Sequence, residues 1–309
     1  MSAESRLHRT IKLRDGRKLG YAEVGDPQGR PVMYCHGFPA SRLEAVLVDR
    51  AAAKLGARIV APDRPGYGLS DFQPGRRILD WPADVAELAD ALGFGQFMLL
   101  AVSGGAPYAL ALLHALPERI TAATLVGGLG PVHTLAAVQP MHFPARFGFV
   151  SARRAPWLMR GVYGSVLGPL MRANPNVALA LLTTAMREAD RATLSRPDIR
   201  ADLCASIGEG LRPGMHGALL DFMLYSHDWG FDPAEINLPV ALWHGTDDIT
   251  VPPCHSRMLA EPLAQAQVFD WPGEGHFSLP INHAEPILGA LLNGGAESVP
   301  RRRAAAMGA

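Results

Sequence analysis

The stretch Leu99-Leu100-Ala101-Val102-Ser103-Gly104-Gly105-Ala106-Pro107-Tyr108 constrains the fold more than any other part of the chain. The apolar run from Phe97 to Val102 has the length and bounds of a buried strand. It stops at a serine set among small residues, and a segment of helical period, Tyr108 to Leu116, follows at once. A strand, a tight turn and a helix with serine at the apex push a hydroxyl out of the backbone as a nucleophile. The neighbours must be small because strand and helix backbones approach closely there. The pattern G-x-S-x-G is imperfect, since Ala101 stands in the first glycine position. Taken alone, Ser103-Gly104-Gly105 reads equally well as a helix cap.

The order of elements around this stretch predicts an α/β protein. Leu7 to Leu13 and Lys18 to Val24 flank Asp15-Gly16 as a hairpin. Strands follow over Pro31–Cys35, Arg58–Ala61, Phe97–Val102 and Ile120–Val126, with helical segments Ser41–Leu55 and Trp81–Leu92 between them. The rhythm breaks between residues 131 and 232, where apolar and aromatic residues recur at helical spacing and no strand pattern appears. It resumes with Val240–His244, a helix over Pro253–Leu263, a strand at Ala266–Phe269, a glycine-rich loop and a helix over Glu285–Leu292. The expected architecture is a mostly parallel sheet with helices on both faces. Its core comprises residues 1–130 and 233–293, with a helical cap inserted at 131–232 and a disordered tail at 294–309.

Composition narrows the function classes. The formal net charge of zero provides no field for nucleic acid or an anionic membrane. Three dispersed cysteines have no metal-ligand spacing and suggest a reducing compartment. The polar start lacks a secretory apolar segment, and no apolar run reaches membrane-spanning length. These features predict a cytoplasmic protein with no metal, no nucleic-acid partner and no membrane insertion. They leave the oligomeric state open.

A serine nucleophile needs a base, an acid to orient that base, and donors for the oxyanion. His276, in the loop Gly273-Glu274-Gly275-His276 after the last strand, is the candidate base. Asp248 follows a strand end and is the candidate acid, although spacing alone does not separate it from Asp247. His36-Gly37-Phe38 is the candidate oxyanion loop, with backbone N–H groups of Phe38 and Gly104 as donors and His36 organising the loop. An isolated Asp after a glycine is common turn dressing, and most histidines are structural. The weight lies in all of these residues falling after strands, at the sheet edge where such folds bind ligands.

With these residues in hand, the chain resembles the α/β-hydrolase-fold superfamily. The resemblance is carried by His36-Gly37-Phe38-Pro39, Asp63-Arg64-Pro65-Gly66-Tyr67-Gly68-Leu69-Ser70, the Ser103 turn, Gly245-x-x-Asp248-x-x-Val251-Pro252 and Gly273-x-Gly275-His276. It spans nearly the whole chain in the family's order of Ser, Asp and His. The resemblance implies that Asp248, not Asp247, is the acid, and that a helical cap follows the sixth strand. It also sets Ser103 apart from the dehalogenases and epoxide hydrolases of this fold, whose nucleophile is Asp. Proline iminopeptidases usually carry a Trp-containing elbow, which is absent here.

The implied activity is a serine esterase acting on a small-molecule substrate through an acyl-enzyme, with no cofactor. The alternatives are a C–C bond hydrolase of diketone-like substrates and a non-catalytic binding protein of the same fold. A nucleotide-binding reading of Gly104-Gly105 fails for want of a G-x-G-x-x-G or P-loop pattern. The apolar residues of the cap are candidates for the substrate pocket. Foremost are Phe143, Phe147, Trp157, Phe222 and Met223, with Phe149, Met159 and Trp229 behind them. Nine arginines between Arg146 and Arg200 stand against only Glu188, Asp190 and Asp198, a balance that suits either an anionic substrate or charged, exposed helix faces.

Overall fold

The computed structural model describes residues 3–183 and 186–294. Eight strands form one sheet: β1 (Arg9–Lys12), β2 (Lys18–Gly25), β3 (Arg30–Cys35), β4 (Ala57–Pro62), β5 (Phe97–Val102), β6 (Ile120–Val126), β7 (Val240–Gly245) and β8 (Ala266–Trp271). The spatial order is β1-β2-β4-β3-β5-β6-β7-β8, antiparallel only where β2 meets β1 and β4. From β4 through β3 to β8 every pairing is parallel.

β5 lies in the interior of the sheet and explains its own composition. All six of its residues are buried, and they alternate between two cores. Phe97, Leu99 and Ala101 pack with Val85 and Leu88 of the helix Trp81–Ala91 and with Leu110 and Leu113 of the helix Ala106–Ala115. Met98, Leu100 and Val102 pack on the opposite face with Ala52 of the helix Asp49–Leu55 and with Ile287, Leu288 and Leu291 of the helix Ala284–Leu292. A strand covered on both faces has no polar positions to spare, hence the unbroken apolar run. Truncating a residue such as Leu110 would cost about 2–5 kcal/mol.

Between Leu135 and Tyr225 the described residues form helices and no strand. These helices touch the loops at the carboxyl ends of the strands. Gly210 abuts Ala40, Gly217 abuts Gly66 and Phe222 packs on Phe38. The proposed tail falls beyond Gly294, outside the described residues.

Three local expectations change. The segment Ser41–Leu55 is not one α-helix but a 3-10 turn, Arg42–Val48, followed by an α-helix, Asp49–Leu55. The first half is tied down from outside, by Arg42 N–H to Asp63 Oδ1 and by Ser41 Oγ accepting from Leu43 N–H. The helix after β7 is shorter than expected, Cys254–Ala260. A short helix, Ser278–Asn282, follows His276 where only a loop was expected.

Candidate active site

Ser103 begins where β5 ends, and its backbone is unusual. Its φ of +53° is the only positive value at a non-glycine residue among the described residues. The left-handed region is costly for a side chain bearing Cβ, and such strain gathers at functional sites. The turn explains its small residues. A Cβ on Gly105 would sit 2.1 Å from the Cys35 carbonyl oxygen, and one on Gly104 would sit 2.7 Å from Phe38 Cβ. Ala101 is one residue before the end of the strand, fully buried in the core beside the helices, where a methyl group is accommodated.

The three candidate catalytic side chains meet. His276 Nε2 lies 3.0 Å from Ser103 Oγ, and His276 Nδ1 lies 2.7 Å from Asp248 Oδ2. The other Asp248 oxygen accepts the N–H groups of Thr250 at 2.9 Å and Val251 at 2.8 Å. Asp247 is half-buried and, among the described residues, its side chain hydrogen-bonds only the Thr246 hydroxyl, so geometry separates the two acids. Burial disfavours the His276 imidazolium, but the charge and hydrogen bond of Asp248 outweigh it and lift the imidazole above its ordinary pKa of 6.5. Burial likewise works against the Asp248 carboxylate, yet His276 and His244 hold it well below the usual carboxylate range.

His36 is fully buried and cannot serve as the base. Its Nε2 accepts the Arg64 N–H at 3.2 Å, which leaves the proton on Nδ1 to bond the Gly37 carbonyl at 3.0 Å. Burial and the Arg64 charge push it well below the ordinary imidazole value. Gly37 and Phe38 flank the serine: a Cβ on Gly37 would lie 3.6 Å from Ser103 Cβ.

Three carboxylates that the sequence reading did not single out brace this arrangement. Asp190, on the helix Glu188–Leu194, accepts the N–H groups of His276, Phe277 and Ser278 at 2.9, 2.9 and 2.8 Å. Its carboxylate occupies the space a Cβ on Gly275 would need, 2.3 Å away. Gly275 therefore answers to a neighbour's bulk, whereas Gly273 has φ +77° and open space. Asp221, on the helix His216–Tyr225, pairs with Arg64 and Arg76 and accepts the hydroxyls of Tyr67 and Tyr108. Burial opposes its charge, but the two guanidinium groups hold it down to about 2. Arg64 also donates to the His36 and Gly37 carbonyls, and Tyr225 donates to the Gly104 carbonyl at 2.8 Å. Glu44 is the third: its Oε2 accepts Gly37 N–H at 2.7 Å and the Tyr34 hydroxyl at 3.1 Å. Burial pushes Glu44 upward, and those two donors hold it back.

Two cavities open at Ser103. The larger, about 120 Å³, is almost wholly apolar and is walled by Phe38, Leu129, Phe149, Tyr163, Met171 and Phe222. The smaller, about 50 Å³, takes in His276 and Glu44. Phe38, Pro39, Ser103 and Thr250 border both, and the buried Thr250 hydroxyl has no hydrogen-bond partner among the described residues.

Most of the foremost pocket candidates lie elsewhere. Of the five, only Phe222 lines the cavity at Ser103. Phe143 is 65% exposed, Trp157 is 74% exposed, and Phe147 stacks between Phe143 and Tyr163. Phe143 and Phe147 are four residues apart and share one face of the helix Phe143–Arg154, while Ala145 and Phe149 present another to the cavity. Met223 lines a separate surface groove with Phe72 and Arg160. Of the three further candidates, Phe149 lines the cavity, while Met159 and Trp229 are buried in the core.

Among the described residues no cluster of three or more His, Cys, Asp or Glu is placed to hold a metal, and no helix is long and apolar enough to cross a membrane. Residues 30–282 match a family described as alpha/beta hydrolase fold. The chain is 27% identical over 292 residues to a non-heme chloroperoxidase of Streptomyces lividans, covering 92% of this chain and 98% of that one. It is 34% identical over 119 residues to epoxide hydrolase B of Mycobacterium tuberculosis (strain ATCC 25618 / H37Rv), covering 37% and 33%. Among solved structures, a bromoperoxidase from Bacillus anthracis matches with a TM-score of 0.68 at 20% identity, covering 93% of this chain and 99% of that one. A thermophilic esterase from Thermogutta terrifontis matches with a TM-score of 0.64 at 19% identity, covering 93% and 97%.

Proposed function

This chain belongs to the alpha/beta hydrolase fold family, and from that premise we propose that it is a serine hydrolase cleaving carboxylic esters of small, largely apolar acids. The observation that carries the reading is the unbroken line from Ser103 Oγ to His276 at 3.0 Å and on to Asp248 at 2.7 Å. In this reading His276 Nε2 takes the Ser103 proton as Oγ attacks the ester carbonyl. The oxyanion forms between the N–H groups of Phe38 and Gly104, and the N-terminus of the helix Ala106–Ala115 adds favourable potential there. His276 returns the proton to the departing alkoxide, leaving an acyl group on Ser103. Water, deprotonated by the same imidazole, then releases the acid.

Asp248 holds the imidazole in the tautomer that presents a bare Nε2 to serine, and stabilises the imidazolium that forms. The apolar cavity of about 120 Å³ suits the acyl chain. Residues 131–232 act as a cap that excludes water from this space.

The test is hydrolysis of p-nitrophenyl esters by the purified protein, beside labelling with a fluorophosphonate probe. Ser103→Ala should lower kcat by about 10⁴-fold or more and abolish labelling. Unchanged ester turnover in that variant sinks the assignment. Turnover of a vinylogous diketone in place of esters would favour the C–C hydrolase.

A further inference from the structure

The two cavities at Ser103 differ in chemistry, and His276 borders only the smaller one. The imidazole must hand its proton to the leaving group, so the leaving group sits on the side where the imidazole is. The smaller cavity is therefore the leaving-group side.

That side holds a carboxylate with a free oxygen. Glu44 is nine-tenths buried, at 9% exposure, and both of its hydrogen bonds within the chain end on Oε2. Oε1 has no partner among the described residues, and Glu44 lines the cavity together with Ser103 and His276. A carboxylate oxygen that borders a cavity without a donor from the protein is open to one brought by a ligand, as a charge-assisted hydrogen bond. We propose that Glu44 Oε1 recognises a hydrogen-bond donor on the alcohol part of the substrate, making the preferred leaving group one with a hydroxyl close to the ester oxygen. The proposal rests on the esterase reading.

Glu44→Gln tests this sharply. Gly37 N–H and Tyr34 O–H both donate to the same oxygen. The amide must turn its carbonyl toward them, which points its NH₂ into the cavity and replaces a charged acceptor there by a neutral donor.

The measurement is kcat/KM for 2-hydroxyethyl butyrate and n-propyl butyrate, near-isosteric alcohol parts, each divided by its rate of hydroxide hydrolysis. The wild type should favour the hydroxyethyl ester by about tenfold or more. Glu44→Gln should cut that preference by about threefold or more, read as the ratio of the two kcat/KM values whatever change both esters share. No preference in the wild type overturns the proposal, as does an equal loss on both esters, which would make Glu44 a brace for Gly37 only. Turnover of neither ester by the wild type counts against the esterase reading itself. The second arm judges Glu44 without turnover: calorimetry on Ser103→Ala should give tighter binding of the hydroxyethyl ester than of the propyl ester, a gap narrowed in Ser103→Ala with Glu44→Gln. Equal affinities there overturn the proposal.

Discussion

Two carboxylates bear on His276 most directly, and they come from opposite regions of the molecule. Asp248 belongs to the loop after β7 and meets the imidazole ring. Asp190 belongs to the helices between β6 and β7 and meets the backbone of the same loop, through three consecutive N–H groups. The proposed oxyanion side repeats the division. His36, Gly37 and Gly104 come from the sheet edge, while Asp221 and Tyr225, from the helix His216–Tyr225, hold those loops from outside. In the proposed mechanism the sheet supplies the reacting groups and the helical layer fixes the backbone that carries them. Reacting groups act in the transition state alone, whereas frame residues act on geometry and stability as well.

That division can be broken from either side. The largest effect belongs to the sheet edge: His276→Ala should cost about 10⁴-fold in kcat with little loss of Tm. A variant that melts instead would make His276 structural. Next comes Asp221→Asn, which leaves the Arg64 and Arg76 charges unpaired in the interior and should cost about 3–5 kcal/mol in denaturant unfolding. A change under 1 kcal/mol would count against the bracing role. Asp190→Asn is milder, because the amide oxygen still accepts two N–H groups while its NH₂ faces the His276 N–H; about 1–3 kcal/mol is expected.

Asp190→Asn also carries a pH signature. The base works as neutral imidazole, so kcat/KM should climb with pH through a limb above 6.5, the direction in which Asp248 and Asp190 push His276. Removing the Asp190 charge lowers that pKa and moves the limb to lower pH. An unmoved limb with reduced kcat would reduce Asp190 to packing. The smallest effect belongs to Tyr225→Phe, which deletes the bond to the Gly104 carbonyl, about 1 kcal/mol in ΔΔG‡ from kcat/KM.

The same division explains what could be read in advance. β5, Ser103, Asp248 and His276 lie at strand ends, where an apolar run followed by glycine and a polar residue marks position along the chain and edge of the sheet together. Asp190 and Asp221 sit on helices, where a charged residue reads as a solvated face until the neighbouring layer is known. Glu44 was hidden in a segment read as one helix, whose first half is a 3-10 turn that aims the side chain inward. Phe143 and Trp157 went the other way. Aromatic composition said that the helices bury something but carried no phase, and these two point to solvent. Gly275 had a visible signal, a second glycine beside the histidine, yet its cause is the Asp190 carboxylate eighty-five positions earlier.

The three N–H bonds to Asp190 bear on how such a protein can be rebuilt or can diverge. A segment that only roofed the substrate could be exchanged between relatives to trade one specificity for another. Here the helical stretch between β6 and β7 carries Asp190, which holds the backbone of the proposed base, His276. A chimera that imports a different helical segment without an acid at this spot would receive a new pocket and lose its grip on His276. The natural unit of inheritance therefore crosses the seam between sheet and insert, and pairs the glycine before His276 with the acid that fills its space.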